Sequence, residues 1–152
     1  TARCAEVGLR PSEIVPETLV LPLLKGVEPD MVVWTALLDK GRAVVRLGNY
    51  EGFATDPDMA SMMIEGAMSS IDKEDDEQPR ASLVIYSDDT TTRLQLPSNV
   101  DVEIRPCDHR LALYASGIAS TPHVNLLQGE YSPKRNFDKT WKPWRTTAAL
   151  AA

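Results

Sequence analysis

Two runs rich in β-branched and aromatic residues, Met31-Val-Val-Trp-Thr-Ala-Leu-Leu38 and Arg42-Ala-Val-Val-Arg-Leu47, are separated only by Asp39-Lys-Gly41. A link this short cannot return the chain to the start of a parallel strand, so the two runs pair antiparallel through a tight turn that uses the glycine. Gly48-Asn-Tyr-Glu-Gly52 then leads to a third strand around Phe53-Ala-Thr55. Three neighbouring antiparallel strands are thus laid down before any long helix begins.

Asp56-Pro57-Asp58 is a helix start, with a carboxylate cap and a proline in the first turn. Met59, Met62, Met63, Ile64, Ala67, Met68 and Ile71 recur at helical spacing and read as one apolar face. Such a face usually packs on a core, although methionines also suit an adaptable partner surface. Ser82-Leu-Val-Ile-Tyr86 reads as a strand buried on both faces. Val100-Asp-Val-Glu-Ile104 alternates as another strand, and residues 111–119 read as a helix. The order strand, strand, strand, helix, strand, strand, helix predicts an α/β fold with a mixed sheet flanked by helices. Upstream, Pro11, Pro16 and Pro22 mark a connector with at most short helical turns, and residues 1–10 read as the end of a helix.

The chain has 152 residues, 43% apolar and 25% charged, enough for one domain with its own core. Its 16 basic and 22 acidic residues are unevenly spread. Residues 134–145 hold five basic side chains and one acidic one, which leaves 11 basic against 21 acidic elsewhere. An acidic body is a poor partner for nucleic acid, whose phosphates need a basic surface. Cys4 and Cys107 share no CxxC spacing, so free thiols in a reducing compartment are expected.

The basic stretch carries Trp141-Lys-Pro-Trp-Arg145 and passes into small and apolar residues. Lys and Arg collect on the cytoplasmic side of a bilayer and Trp at headgroup depth. Arg135, Lys139, Trp141, Lys142, Trp144 and Arg145 are therefore the candidate membrane-proximal residues. Each basic residue near anionic headgroups contributes on the order of 1 kcal/mol. The expectation is a body over residues 1–124 and a juxtamembrane segment over 125–152, leading to a membrane helix further on.

Catalytic patterns are weak. Adjacent residues such as Cys107-Asp108-His109 rarely converge on one reacting atom. A phosphate-binding hairpin uses several glycines so that backbone N–H groups can approach the anion, and the turn at Asp39-Lys-Gly41 has one. Two-metal chemistry needs several convergent carboxylates, and Asp39 has no evident acidic companion in the neighbouring strands. The acidic loop over 72–77 lacks the alternating oxygens and central glycine of a calcium loop. This reading assigns no catalytic residue, no cofactor and no metal ligand.

Several segments carry a resemblance. Gly8-Leu-Arg-Pro11, Val15-Pro-Glu-Thr-Leu19, Leu37-Leu-Asp-Lys-Gly41 with Arg42-Ala-Val-Val-Arg46, Tyr50-Glu-Gly-Phe-Ala54 and Asn125-Leu-Leu-Gln-Gly-Glu-Tyr-Ser-Pro-Lys-Arg135 occur in the order of the type II secretion system protein L family, also called general secretion pathway protein L. The segment 125–131, just before Trp-x-Pro-Trp-Arg, is the most specific of these. The resemblance implies a ribonuclease H-like, actin-like ATPase-type lobe that corresponds to the C-terminal portion of a longer cytoplasmic region. It also implies one membrane helix, a periplasmic domain and a place at the bacterial inner membrane. A non-catalytic role follows: recruitment of the secretion ATPase, protein E, through its N-terminal domain, together with proteins M and F, with a homodimer possible. The helix over 59–71 and the acidic loop over 72–77 are the docking candidates. The alternatives are an actin-like nucleotide-binding ATPase or sensor, and a pilus-assembly adaptor of similar body.

Overall fold

The computed structural model describes residues 2–26, 31–71, 80–89 and 94–132. They fall into a larger unit, Val15–Val124, and a smaller one built from the segments up to Ile14 and from Asn125 onward. Helix α1 (Ala2–Glu6) belongs to the smaller unit.

In the larger unit, β1 (Val32–Asp39), β2 (Arg42–Arg46), β3 (Gly52–Thr55), β4 (Ala81–Ser87) and β5 (Val100–Pro106) form one sheet in the order β3-β2-β1-β4-β5. Strands β1, β2 and β3 are antiparallel neighbours, as the short links require. Strands β4 and β5 run parallel to β1. Helix α2 (Pro57–Ser69) follows β3 and α3 (Arg110–Ser120) follows β5, so the predicted element order is the observed one.

The β1–β2 turn shows how local chemistry sets the register. Asp39 opposes Arg42, and the two residues between them, Lys40 and Gly41, both have positive φ, 49° and 76°. That pair of left-handed residues is the two-residue hairpin whose twist matches the strands it joins. Glycine adopts it freely, whereas lysine does so at a cost of about 1 kcal/mol.

Helix α2 starts where its capping residues predict. The Met59 N–H donates to Asp56 Oδ1 at 2.9 Å, and this bond is the first cause holding the Asp56 carboxyl below its usual pKa. Ala60, Ile64 and Met68 are buried against Trp34, Ala36 and Leu38 of β1 and Leu83 and Ile85 of β4. The methionine stripe needs correction. Met59, Met62 and Met63 are exposed, Met62 to 66%, because the helical turn of about 100° per residue carries them away from the line through Ala60, Ile64 and Met68.

The other sheet face is covered by a 3₁₀ turn (Glu17–Val20), Leu21 and α3, which pack on Leu37 and Val44. Gly117 of α3 makes the approach possible. A Cβ built there would lie 1.8 Å from the Val20 carbonyl oxygen, a distance no side chain tolerates. Tyr114 of the same helix donates to Glu17 Oε1 at 2.6 Å, and Glu17 also pairs with Arg42 at 2.7 Å.

Arg46, at the end of β2, is completely buried, and among the described residues no carboxylate pairs with it. Its guanidinium donates to the carbonyls of Leu19, Leu21, Gly48, Asn49 and Pro122 and to Thr121 Oγ1, at 2.6–3.0 Å. Burial lowers its pKa, yet arginine stays charged at any ordinary pH. The charge is distributed over six oxygen dipoles, which is how a buried cation avoids the desolvation penalty of an unpaired one.

Alternation in β5 does not mark a buried face. Val102 and Ile104 are 47% and 45% exposed, because β5 closes the sheet on one side and α2 packs toward the other end.

Candidate functional site

The carboxyl ends of β1, β4 and β5 gather the polar residues with chemical potential. Two open depressions, about 260 and 200 Å³, lie on either side of Asp39 and Lys40. Asp88 borders both, Asp89 one and Asp108 the other. Parallel strands in an α/β sheet present their ligand-binding loops at this edge, so it is the place where chemistry would be expected.

The geometry there is already committed. Asp39 accepts a close hydrogen bond from Arg110 Nη1 of α3, and Arg42 is turned toward Glu17. With Asp39 and Arg42 engaged and Lys40 in place of a second glycine, the turn offers no open cradle for a phosphate. Among the described residues, no group of three or more His, Cys, Asp or Glu side chains is arranged to hold a metal ion.

Cys107 lies beside the same depression, and burial pushes its thiol above the ordinary range, with Asp108, Asp88 and Asp39 adding to the rise. A reactive cysteine requires the opposite, an electropositive setting that favours the thiolate. His109 occupies the N-cap position of α3 with no cap bond from its side chain. The structure thus does not assemble Cys107, Asp108 and His109 into a nucleophile and base. Both cysteines are free.

The segment 125–131, the most specific part of the sequence resemblance, has a structural explanation in the smaller unit. Asn125 Oδ1 accepts from the Ile14 and Leu127 N–H groups at 3.1 and 2.9 Å, and Nδ2 donates to the Ser12 carbonyl at 3.2 Å. Leu126 N–H adds a bond to the Ile14 carbonyl at 2.8 Å. One amide therefore stitches this segment to residues just after Pro11, and Gly129, with φ of 58°, allows the 3₁₀ turn that follows. Sequence reasoning assigned no role to Asn125, although its ability to bridge two backbones with one side chain is a known property of asparagine.

The membrane-proximal candidates Arg135, Lys139, Trp141, Lys142, Trp144 and Arg145 lie outside the described residues, as does the acidic loop over 72–77. Among the described residues no helix is long and apolar enough to cross a membrane.

A solved structure supplies the comparison. The cytoplasmic domain of EpsL, an inner membrane component of the type II secretion system of Vibrio cholerae, superimposes with a TM-score of 0.60 over 86% of this chain, at 18% sequence identity. This chain has the fold of the EpsL domain. It spans about half of it, 51% of that domain's length. No protein-family model matches the chain, and no curated protein matches it by sequence. The mixed α/β architecture expected from the sequence, three antiparallel strands followed by helix, strand, strand and helix, is the observed one, and its fold is shared with the EpsL domain.

Proposed function

We propose that this chain is the C-terminal lobe of a type II secretion protein L-like cytoplasmic region. In that role it is a non-catalytic member of the inner-membrane platform, acting on the cytoplasmic side. The observation that carries the reading is the likeness to the EpsL domain over 86% of the chain, which agrees with a sequence resemblance found independently in segments from Gly8 to Arg135. The occupied hairpin at Asp39 adds support, since an adaptor has no use for an open phosphate cleft.

In this reading the lobe helps to recruit the secretion ATPase, protein E, through that enzyme's N-terminal domain, while membrane and periplasmic parts associate with proteins M and F. The docking surface of the lobe is α2, whose exposed Met59, Met62 and Met63 form an adaptable apolar surface of the sort that accommodates a helical partner. The basic, tryptophan-bearing residues 135–145 link the lobe to the bilayer.

The test is a binding titration of the ATPase's N-terminal domain against the complete cytoplasmic region that contains this lobe. Saturable binding, weakened by Met62→Glu, is expected. No binding to the complete region overturns the recruitment reading, and binding of magnesium-ATP to that region instead favours a nucleotide sensor.

A further inference from the structure

Among the described residues, strand β5 pairs only with β4, and the hydrogen-bond pattern shows which groups it leaves over. Ala81 donates to the Asn99 carbonyl and Cys107 donates to the Ser87 carbonyl, so the odd-numbered residues of β5 turn their backbone groups toward β4. Val102 and Ile104 turn their N–H and C=O outward. Pro106 also has the outward phase, where its missing N–H takes nothing from the sheet. The Val100 N–H is already bound to the Pro97 carbonyl. The free edge therefore offers two donors, at Val102 and Ile104, under two half-exposed apolar side chains.

Such an edge is a template for another strand, and its charges identify which one. Glu103 and Arg105 share the opposite side-chain phase. In the single chain they hold each other, Arg105 Nε to Glu103 Oε1 at 2.7 Å and Nη2 to Oε2 at 3.0 Å. Directly opposed residues of an antiparallel pair share a face, so self-pairing keeps apolar against apolar only when it is centred on a residue. Centring on Val102 sets Asp101 against Glu103. Centring on Glu103 sets that carboxylate against its own copy, and centring on Arg105 repeats the fault with two cations. Centring on Ile104 opposes Glu103 to Arg105 twice and brings Ile104 against Ile104. It also uses each outward donor, Ile104 N–H to the facing Ile104 carbonyl and Val102 N–H to the facing Pro106 carbonyl, and asks nothing of the proline nitrogen.

We propose that β5 is a homodimerisation edge: it pairs antiparallel with β5 of a second copy, centred on Ile104, and the two sheets become one. The sequence resemblance allows a homodimer without saying where it forms; the place and the register proposed here rest on the edge alone and need no part of the secretion reading.

Sedimentation equilibrium over a concentration series tests it. The wild-type chain is expected to dimerise reversibly. Glu103→Arg and Arg105→Glu, each placing two like-charged pairs in the junction, are expected to raise the dissociation constant roughly tenfold. The double variant Glu103→Arg/Arg105→Glu exchanges the partners and restores it. These residues are exposed, so circular dichroism should show all three variants folded. In a Cys4→Ser/Cys107→Ser background, Ile104→Cys should oxidise to a covalent dimer, because a hydrogen-bonded pair holds its Cα atoms about 5.5 Å apart, within disulfide reach. A chain that stays monomeric leaves the edge to a foreign strand and overturns the proposal. So does a dimer unmoved by either single reversal, a double variant that fails to recover, or an Ile104→Cys dimer that will not oxidise.

Discussion

Arg46 Nη1 donates to Thr121 Oγ1 at 3.0 Å across 75 residues of sequence, and Thr121 Oγ1 itself donates back to the Gly117 carbonyl at 2.6 Å. The end of β2 and the end of α3 are thus held by one hydroxyl that accepts from the first and donates to the second. The same Nη1 also reaches the Leu19 and Leu21 carbonyls in the segment before the sheet, while Nε and Nη2 hold the carbonyls of Gly48, Asn49 and Pro122.

Replacing Arg46 by Met should therefore cost far more than an exposed charge would. It strands several buried carbonyls, each worth about 1–3 kcal/mol when orphaned, and the total is expected to exceed about 3 kcal/mol. Arg46→Lys should not rescue it, because one ammonium cannot reproduce a planar fork that reaches six oxygens. Urea unfolding at constant m-value measures both; near-wild-type stability of either variant would contradict the assignment.

Two glycines in helices should respond to alanine in opposite directions. Gly117→Ala places a methyl group against the Val20 carbonyl and should destabilise by about 2 kcal/mol or more. Gly66→Ala in α2 meets nothing within 4 Å and should stabilise by roughly 0.5–1 kcal/mol through helix propensity. Thermal midpoints moving the same way in both variants would sink the argument.

Tyr114 gives an alkaline dependence. Burial, then the Glu17 carboxylate, raises its pKa above the ordinary phenol range. The folded state keeps a proton that the unfolded chain releases near pH 10 or so. The linked stability is complete below that point and is lost as pH rises toward the folded value. Tyr114→Phe should lose about 1 kcal/mol at neutral pH, with the gap to wild type closing in alkali. A gap independent of pH would refute it.

Asp56 acts at the acid end. Its folded pKa is lowered, so its contribution is present above the unfolded carboxylate value and is lost as pH falls through the folded one. Asp56→Asn keeps a capping oxygen without a titrating group. Below about pH 4 the wild type should lose stability faster than this variant in parallel acid unfolding curves.

If the basic, tryptophan-bearing stretch is the membrane link proposed above, Trp141→Ala/Trp144→Ala should reduce cosedimentation of the complete cytoplasmic region with anionic vesicles while leaving its circular dichroism unchanged. Retained vesicle binding, or a lost fold, would each remove these residues from the proposed role.

The element order was legible because its signals are local. Asp56-Pro57 starts α2, Lys40-Gly41 closes the hairpin, and β-branched runs make the strands. The parallel placement of β4 beside β1 is a long-range pairing that no local signal encodes beyond the apolar run Ser82–Tyr86 itself. The role of Arg46 is not legible in the sequence, since nothing in Arg42-Ala-Val-Val-Arg46 distinguishes the exposed arginine from the buried one. Helical spacing puts seven apolar positions from Met59 to Ile71 on a single face, but a stripe that wide must wrap past the contact, and Met62 falls on the far side. At the Asp39 edge the sequence showed which residue types were present, and only the structure showed that Arg110 had already taken the carboxylate.

Because Leu19 and Pro122 both reach the same guanidinium, the polypeptide enters and leaves the larger unit at neighbouring points. A fold whose entrance and exit adjoin behaves as a cassette, able to be spliced into a longer protein without stretching what flanks it.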